Sequence, residues 1–268
     1  MKIGNREYNL FSKTYIMGIL NVTPDSFSDG GKWNHMDTAL KHAEEMMLHG
    51  AAIIDIGGES TRPGYQKISE EEEEERIIPV ISAIKQRFDI PVSVDTYKAG
   101  VAKQALIAGA DMINDIWGLK ADPDMARVIA RSGAACCLMH NRDNTIYVDF
   151  VEDVKRELME SVSIALEAGI PKDKIMLDPG VGFGKTYGQN LKALKHVEDF
   201  KELGYPLLIG TSRKSVIGNT LDLPVTEREE GTIATTVLAV KAGVGMVRVH
   251  NVEANRRAIR MTRAILNA

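Results

Sequence analysis

Eight times along this chain a short apolar run ends on groups that could do chemistry. They are Asn21; Asp55 with Glu59; Asp95; Asn114 with Asp115; His140, Asn141 and Arg142; Asp178; Thr211 to Ser215, including Arg213 and Lys214; and Arg248 with His250. Asp95, Asn114, Asp178 and Lys214 combine acceptors, an amide and a cation. A carboxylate takes two parallel N–H bonds from a guanidine-like edge, and a lysine meets a ring oxygen or nitrogen. A flat, amide-rich heterocycle such as a pterin or a guanine presents that pattern. Taken singly, Asp95 or Asp115 would as readily cap a helix or pair with a neighbouring cation. Asp178 differs because it opens Asp178-Pro179-Gly180-Val181-Gly182-Phe183-Gly184-Lys185, whose glycines would let backbone approach a ligand.

A second demand is for an anion. Arg248 and His250 alternate about Val249, so both point to one face of a strand, with a helix expected from Asn251 just behind. Arg62, in Ser60-Thr61-Arg62-Pro63-Gly64, is a further loop cation. Asn21 beside a pyrophosphate would suit Mg²⁺, which keeps waters and bridges phosphate oxygens. No His and Cys spacing supports a protein-held zinc, and no Gly-x-Ser-x-Gly elbow or Cys and His pairing argues for a covalent nucleophile. Gly184-Lys185-Thr186 lacks the earlier glycine of a phosphate-binding loop.

These groups need elements that bring them together. Ile16 to Leu20 has the length and flanks of a buried parallel strand, and Val22 to Gly31 reads as a loop after its tip. Met36 to His49 has helical spacing and stops at Gly50. A helix-ending glycine, a small residue and a short apolar strand then recur at Gly50, Gly109, Gly133 and Gly243. Between these copies lie Pro91 to Asp95, Ile175 to Asp178 and Leu207 to Gly210, which makes eight strands alternating with helices. Such alternation implies right-handed crossovers and a parallel sheet, and the length suits a closed (β/α)8 TIM barrel with its active site at the C-terminal strand ends. An open doubly wound sheet is the competitor, weakened by the missing Gly-x-Gly-x-x-Gly. The Gly4-Asn5 pair suggests a hairpin over residues 1–14. The acidic run Glu70 to Glu75 reads as a solvated first turn, with Ser69 and Glu72 as a capping box, and Pro79 should kink or restart that helix.

The 268 residues, 44% hydrophobic and 26% charged, fit a globular α/β chain, and with no linker-like tract the whole of 1–268 reads as one domain. With 33 basic against 37 acidic residues the net charge is -4, so no broad positive field recommends nucleic acid. Cys136 and Cys137, adjacent in an apolar run, read as buried thiols in a reducing cytosol. No apolar stretch approaches the ~20 residues of a membrane span, and Met1 to Leu10 lacks a signal-like core, so the expected location is cytoplasmic, away from membranes.

The ordered set of motifs resembles the dihydropteroate synthase family. It comprises Asn21-Val22-Thr23-Pro24-Asp25-Ser26-Phe27-Ser28-Asp29-Gly30, Gly58 to Gly64, Val94-Asp95-Thr96, Asn114-Asp115-Ile116, Met139 to Arg142, Asp178 to Thr186, Ser212-Arg213-Lys214-Ser215 and Arg248-Val249-His250. One departure is Val216, where the family usually has Phe. The resemblance implies condensation of (7,8-dihydropterin-6-yl)methyl diphosphate with p-aminobenzoate, by an SN1-like step, to 7,8-dihydropteroate and pyrophosphate. It implies that Asp95, Asn114, Asp178 and Lys214 hold the pterin, and that Asn21, Thr61, Arg62, Arg248 and His250 hold the diphosphate, with Mg²⁺ at Asn21. Phe27, Pro63, Phe183, Lys214 and Ser215 would line the p-aminobenzoate site. Asp29 and Arg62, on loops that close over the site, would join Asp95, Lys214, Arg248 and His250 as catalytic groups. A homodimer packed through outer helices, with Thr232 to Ala242 as one contributor, is also implied. Two alternatives stay open on sequence: a methyltetrahydrofolate-dependent corrinoid methyltransferase, for which the Arg248 and His250 anion site has no use, and a catalytically silent pterin-binding paralogue.

Overall fold

Residues that alternate in a strand send every second side chain to the same side, and in this chain the two sides go to two separate cores. In the computed structural model, which describes residues 1–22, 32–59 and 67–268, the strands are β3 (Tyr15–Asn21), β4 (Ile53–Gly57), β5 (Val92–Asp95), β6 (Met112–Asp115), β7 (Ala135–Met139), β8 (Ile175–Asp178), β9 (Leu208–Ile209) and β10 (Met246–Val249). All pair in parallel, in the order β8-β7-β6-β5-β4-β3-β10-β9, and a parallel bridge between Leu177 and Leu207 closes the ring. The fold is therefore a (β/α)8 TIM barrel. Ile16, Ile54, Ile56, Val92 and Val94 face outward against the helices, whereas Met17, Ile53, Met112, Cys137, Met176, Leu208 and Met246 fill the interior.

The surrounding helices are α1 (Lys32–His49), α2 (Glu70–Arg87), α3 (Ala99–Ile107), α4 (Met125–Ser132), α5 (Phe150–Glu167), α6 (Tyr187–Lys195), α7 (Ser215–Leu221), α8 (Glu229–Lys241) and α9 (Val252–Leu266). The glycine of each recurring phrase, Gly50, Gly109, Gly133 and Gly243, has positive φ, the conformation that ends a helix and turns the chain into the next strand. The expected hairpin is there, with β1 (Lys2–Ile3) antiparallel to β2 (Arg6–Glu7). It plugs the N-terminal end of the barrel: Ile3, Tyr8 and Leu10 join the interior cluster, and the Tyr8 hydroxyl donates to the Ala52 carbonyl at 2.9 Å.

Several local expectations are corrected. Pro79 does not restart α2, which runs through it from Glu70 to Arg87 with Ile77, Val80, Ile81 and Ile84 anchoring both halves in the core. The Ser69 hydroxyl accepts from the Glu72 amide at 3.2 Å, but the Glu72 carboxylate pairs with Arg76, so only half of that capping box forms. The complete one lies at Thr186 and Gln189. The acidic turn is not wholly solvated either: Glu73 is 1% exposed and meets the Lys98 amine at 2.7 Å. The expected Leu207 to Gly210 strand narrows to two residues, since Pro206 contributes no N–H and Gly210 already belongs to the mouth. Cys136 and Cys137 are free and buried, and burial raises the pKa of both thiols. Among the described residues, no helix is long and apolar enough to cross a membrane.

Candidate active site

On four strands the inward position two residues beyond the apolar interior layer turns polar. Ile53 gives way to Asp55, Met112 to Asn114, Met176 to Asp178 and Met246 to Arg248. Asp55 is 0% exposed, and Asp95, Asn114 and Asp178 are all buried. Arg248 reaches across the barrel: its Nε donates to Asp55 Oδ2 at 2.5 Å and its Nη2 to Asp95 Oδ2 at 2.7 Å. Burial disfavours the Arg248 charge, but Asp55 and Asp95 more than offset this and its pKa is raised. Burial likewise raises Asp95, to about 7, against the pull of Arg248. Asp55 Oδ1 and Asp95 Oδ1 are buried without a hydrogen-bond partner, so this layer has unused acceptors.

Asp178 and Lys214 face the same layer from the other side. Asp178 Oδ1 accepts from the Gly180 amide at 2.7 Å; burial raises the carboxyl's pKa, with Lys214 opposing. Burial takes the Lys214 amine down to about 8, against the Asp178 and Asp95 carboxylates. Lys214 donates to the Val181 carbonyl at 2.5 Å and sits 4.6 Å from the centre of the Phe183 ring. It follows Arg213, held at φ +59°, in a turn closed by the Lys214 amide on the Thr211 carbonyl at 3.0 Å. Ser215, the first residue of α7, is exposed beside it. His250 lies over the next turn, its Nδ1 2.9 Å from the Ser212 hydroxyl. Asn21 ends β3 at the mouth near Gly57, which also borders Asp95. Asp95, Asn114, Asp178, Lys214, Arg248, His250 and Asn21 thus gather at one end of the barrel.

Other tips serve the frame. The Asp115 oxygens accept from the Trp117 amide at 2.8 Å and the Leu119 amide at 2.7 Å, making it a cap for its own loop. Glu59 accepts from Tyr97, Lys98 and the Ile68 amide. Arg142 is gripped by Glu157 of α5, which also receives His140 at 3.0 Å. The glycines after Asp178 answer to protein more than to a ligand: a Cβ on Gly180, at φ +72°, would lie 1.9 Å from the His140 carbonyl oxygen. Val216 is buried between α6 and α8 with Ile217, on the outer side of the barrel. Reading from residue types missed Asp55 as the partner of Arg248, although its period-two spacing from Ile53 marks it as inward-facing. Phe27, Asp29, Thr61, Arg62 and Pro63 lie outside the described residues.

Among the described residues no group of three or more His, Cys, Asp or Glu side chains could hold a metal ion. Asn21 sets one hard amide oxygen beside Gly57 at the rim, a donor type that would suit Mg²⁺ arriving with phosphate oxygens and waters and not a protein-built cage.

The family model described as pterin binding enzyme matches residues 17–250. A dihydropteroate synthase of Clostridium beijerinckii is 61% identical, over 99% of this chain and 99% of its own. The crystal structure of a dihydropteroate synthase from Clostridium difficile in the presence of pteroic acid matches with a TM-score of 0.95 and 53% identity, covering 98% of this chain and 100% of that one. A Xanthomonas albilineans dihydropteroate synthase with 4-aminobenzoic acid matches at 0.92 and 40%, covering 96% and 94%.

Proposed function

The chain belongs to the pterin binding enzymes, among their dihydropteroate synthases, and on that footing we propose how its own residues carry the condensation of (7,8-dihydropterin-6-yl)methyl diphosphate with p-aminobenzoate. The observation that carries the reading is the polar layer itself, in which two cations and four hydrogen-bonding side chains converge at the depth where the strands end.

The pterin lies in that layer. Asp178 accepts from the 2-amino and ring N–H edge; Oδ1, already holding the Gly180 amide, has a second lone pair to give. Lys214 and Asn114 meet the remaining ring oxygen and nitrogens, and Asp95, with its unpartnered Oδ1, stabilises positive charge that develops on the ring. The diphosphate sits at the rim against Arg248 and His250, with Thr61 and Arg62. Arg248 keeps donors beyond the two that bind Asp55 and Asp95. Asn21 would hold Mg²⁺ there, which supplies neutralisation of diphosphate charge.

With its charge met, pyrophosphate leaves with the C–O bonding pair, and the methylene cation is delocalised into the dihydropterin ring. The aniline nitrogen of p-aminobenzoate attacks that carbon and then gives up a proton. An aniline is already nucleophilic, so the protein's task is positioning and exclusion of water, which would trap the cation. Phe183, Lys214 and Ser215 form the p-aminobenzoate side; the family resemblance adds Phe27 and Pro63 to it and Asp29 and Arg62 to the catalytic groups, all four outside the described residues. Location in the cytoplasm fits a chain with no membrane-crossing helix among its described residues. A homodimer through α6, α7 and α8 accounts for the exposed Leu191, Leu221 and Leu238 around one outer groove.

The test is a coupled assay for pyrophosphate release from the pterin diphosphate with Mg²⁺, with and without p-aminobenzoate. Release that depends on p-aminobenzoate and yields dihydropteroate is expected. Pterin binding without release would mean a silent paralogue.

A further inference from the structure

Lys185 ends the glycine-rich loop after β8, and the proposed reaction leaves it no task. Its ammonium has three N–H bonds to donate, and each finds an acceptor: His140 Nδ1 at 2.9 Å, the Gly180 carbonyl at 2.9 Å and the Phe183 carbonyl at 3.0 Å. The two carbonyls belong to one turn, in which the Phe183 amide also donates to the Gly180 carbonyl at 3.1 Å. Burial lowers the Lys185 amine to about 7; where it is the ammonium it donates to His140 Nδ1, and the imidazole proton then lies on Nε2, 3.0 Å from Glu157 Oε2 on α5. Burial and the Lys185 charge hold His140 neutral, with a pKa of about 3. A rigid helix, a neutral imidazole and one ammonium therefore form a continuous tie into a loop that has no strand or helix of its own between Pro179 and Lys185.

What this loop presents to the mouth is the Val181 carbonyl and the Phe183 ring, both against Lys214. We propose that Lys185 is a positioning residue for the p-aminobenzoate half of the reaction: its three donors hold the Gly180 to Phe183 turn shut and so fix the Phe183 ring beside Lys214. The proposal rests on the reading of Phe183 as a wall of the p-aminobenzoate site. Arginine does not substitute, because its planar fork cannot serve three acceptors grouped around one nitrogen.

Steady-state kinetics in both substrates test it, on Lys185→Met and Phe183→Ala, with calorimetry for the pterin and thermal unfolding alongside. Lys185→Met is expected to raise the KM for p-aminobenzoate about 10-fold, with kcat and pterin affinity held within about 3-fold. A role in stability alone would lower Tm and the active fraction and leave that KM unmoved, which overturns the proposal; so would an equal loss of pterin affinity. If Phe183→Ala raises the KM and Lys185→Met does not, Phe183 keeps its role and the positioning claim falls. If Phe183→Ala leaves the KM unchanged, the wall reading fails and takes the proposal with it. Should Lys185→Met not fold, Lys185→Gln decides: a raised KM for p-aminobenzoate supports the three-donor requirement and an unchanged one overturns it.

Discussion

The barrel has two interior layers, and they differ by a single step of two residues along the same strands. The lower one is Met17, Ile53, Met112, Cys137, Met176, Leu208 and Met246, capped by Ile3, Tyr8 and Leu10 of the N-terminal segment. The upper one is Asp55, Asp95, Asn114, Asp178 and Arg248. Apart from Arg248, whose side chain is 17% exposed, both layers are buried, so exposure does little to separate floor from site. What separates them is satisfaction: the floor is apolar apart from Ser93, and the Tyr8 hydroxyl that caps it is paired with the Ala52 carbonyl, whereas the upper layer buries carboxylate oxygens of Asp55 and Asp95 that its own donors do not fill. A protein maintains such a deficit at a cost in stability, and the deficit is what a ligand rich in N–H groups answers.

The comparison is broken most severely by making the upper layer resemble the lower. Arg248→Met leaves Asp55 and Asp95 buried without their cation, and should cost about 3–5 kcal/mol, seen as a lower urea midpoint together with loss of turnover. Asp178→Ala removes two charge-assisted acceptors from the site while sparing that ion pair. Pterin affinity measured by calorimetry should fall about 100-fold, and an unchanged affinity would reject the assignment of Asp178.

A gentler probe is pH. The Asp95 carboxyl is at about 7 in the folded chain and about 3.9 when unfolded, so between those values the folded form binds the extra proton. Its contribution to stability is complete below about pH 4 and is lost as pH rises through about 7. The Tm of the ligand-free protein should accordingly fall across that window, and Asp95→Asn should flatten the fall. The smallest effect belongs to the floor: Met176→Leu conserves volume and meets no polar group, so it should cost less than about 1.5 kcal/mol and leave both KM values unchanged in the coupled assay.

The frame of this contrast was legible in the chain because its signals are local. Four glycine-led phrases mark where helices stop and strands begin, and a strand's inward positions follow from counting by two. Residue type then shows which tips could meet a heterocycle or an anion. Partnership was not legible. Whether Asp115 faces a ligand or its own loop amides, or whether Arg142 faces the mouth or Glu157 on α5, depends on distances between segments that periodicity does not encode. The acidic run hid Glu73 for the same reason, since its burial follows from Lys98, 25 residues away. Pro79 showed a local rule yielding to tertiary packing.

The plug formed by the first ten residues makes the barrel a cup, open at one end only. Everything that reacts must come and go through the mouth, and the two proposed substrates bind at different depths. On that proposal the pterin would reach down to the buried Asp95 and Asp178, and p-aminobenzoate would stay at the rim by Phe183 and Ser215. An occupied rim would bar the way to the floor. On the proposed placement the shape of the vessel would set the traffic: the pterin diphosphate is expected to enter first and p-aminobenzoate to follow, which product-inhibition kinetics would check.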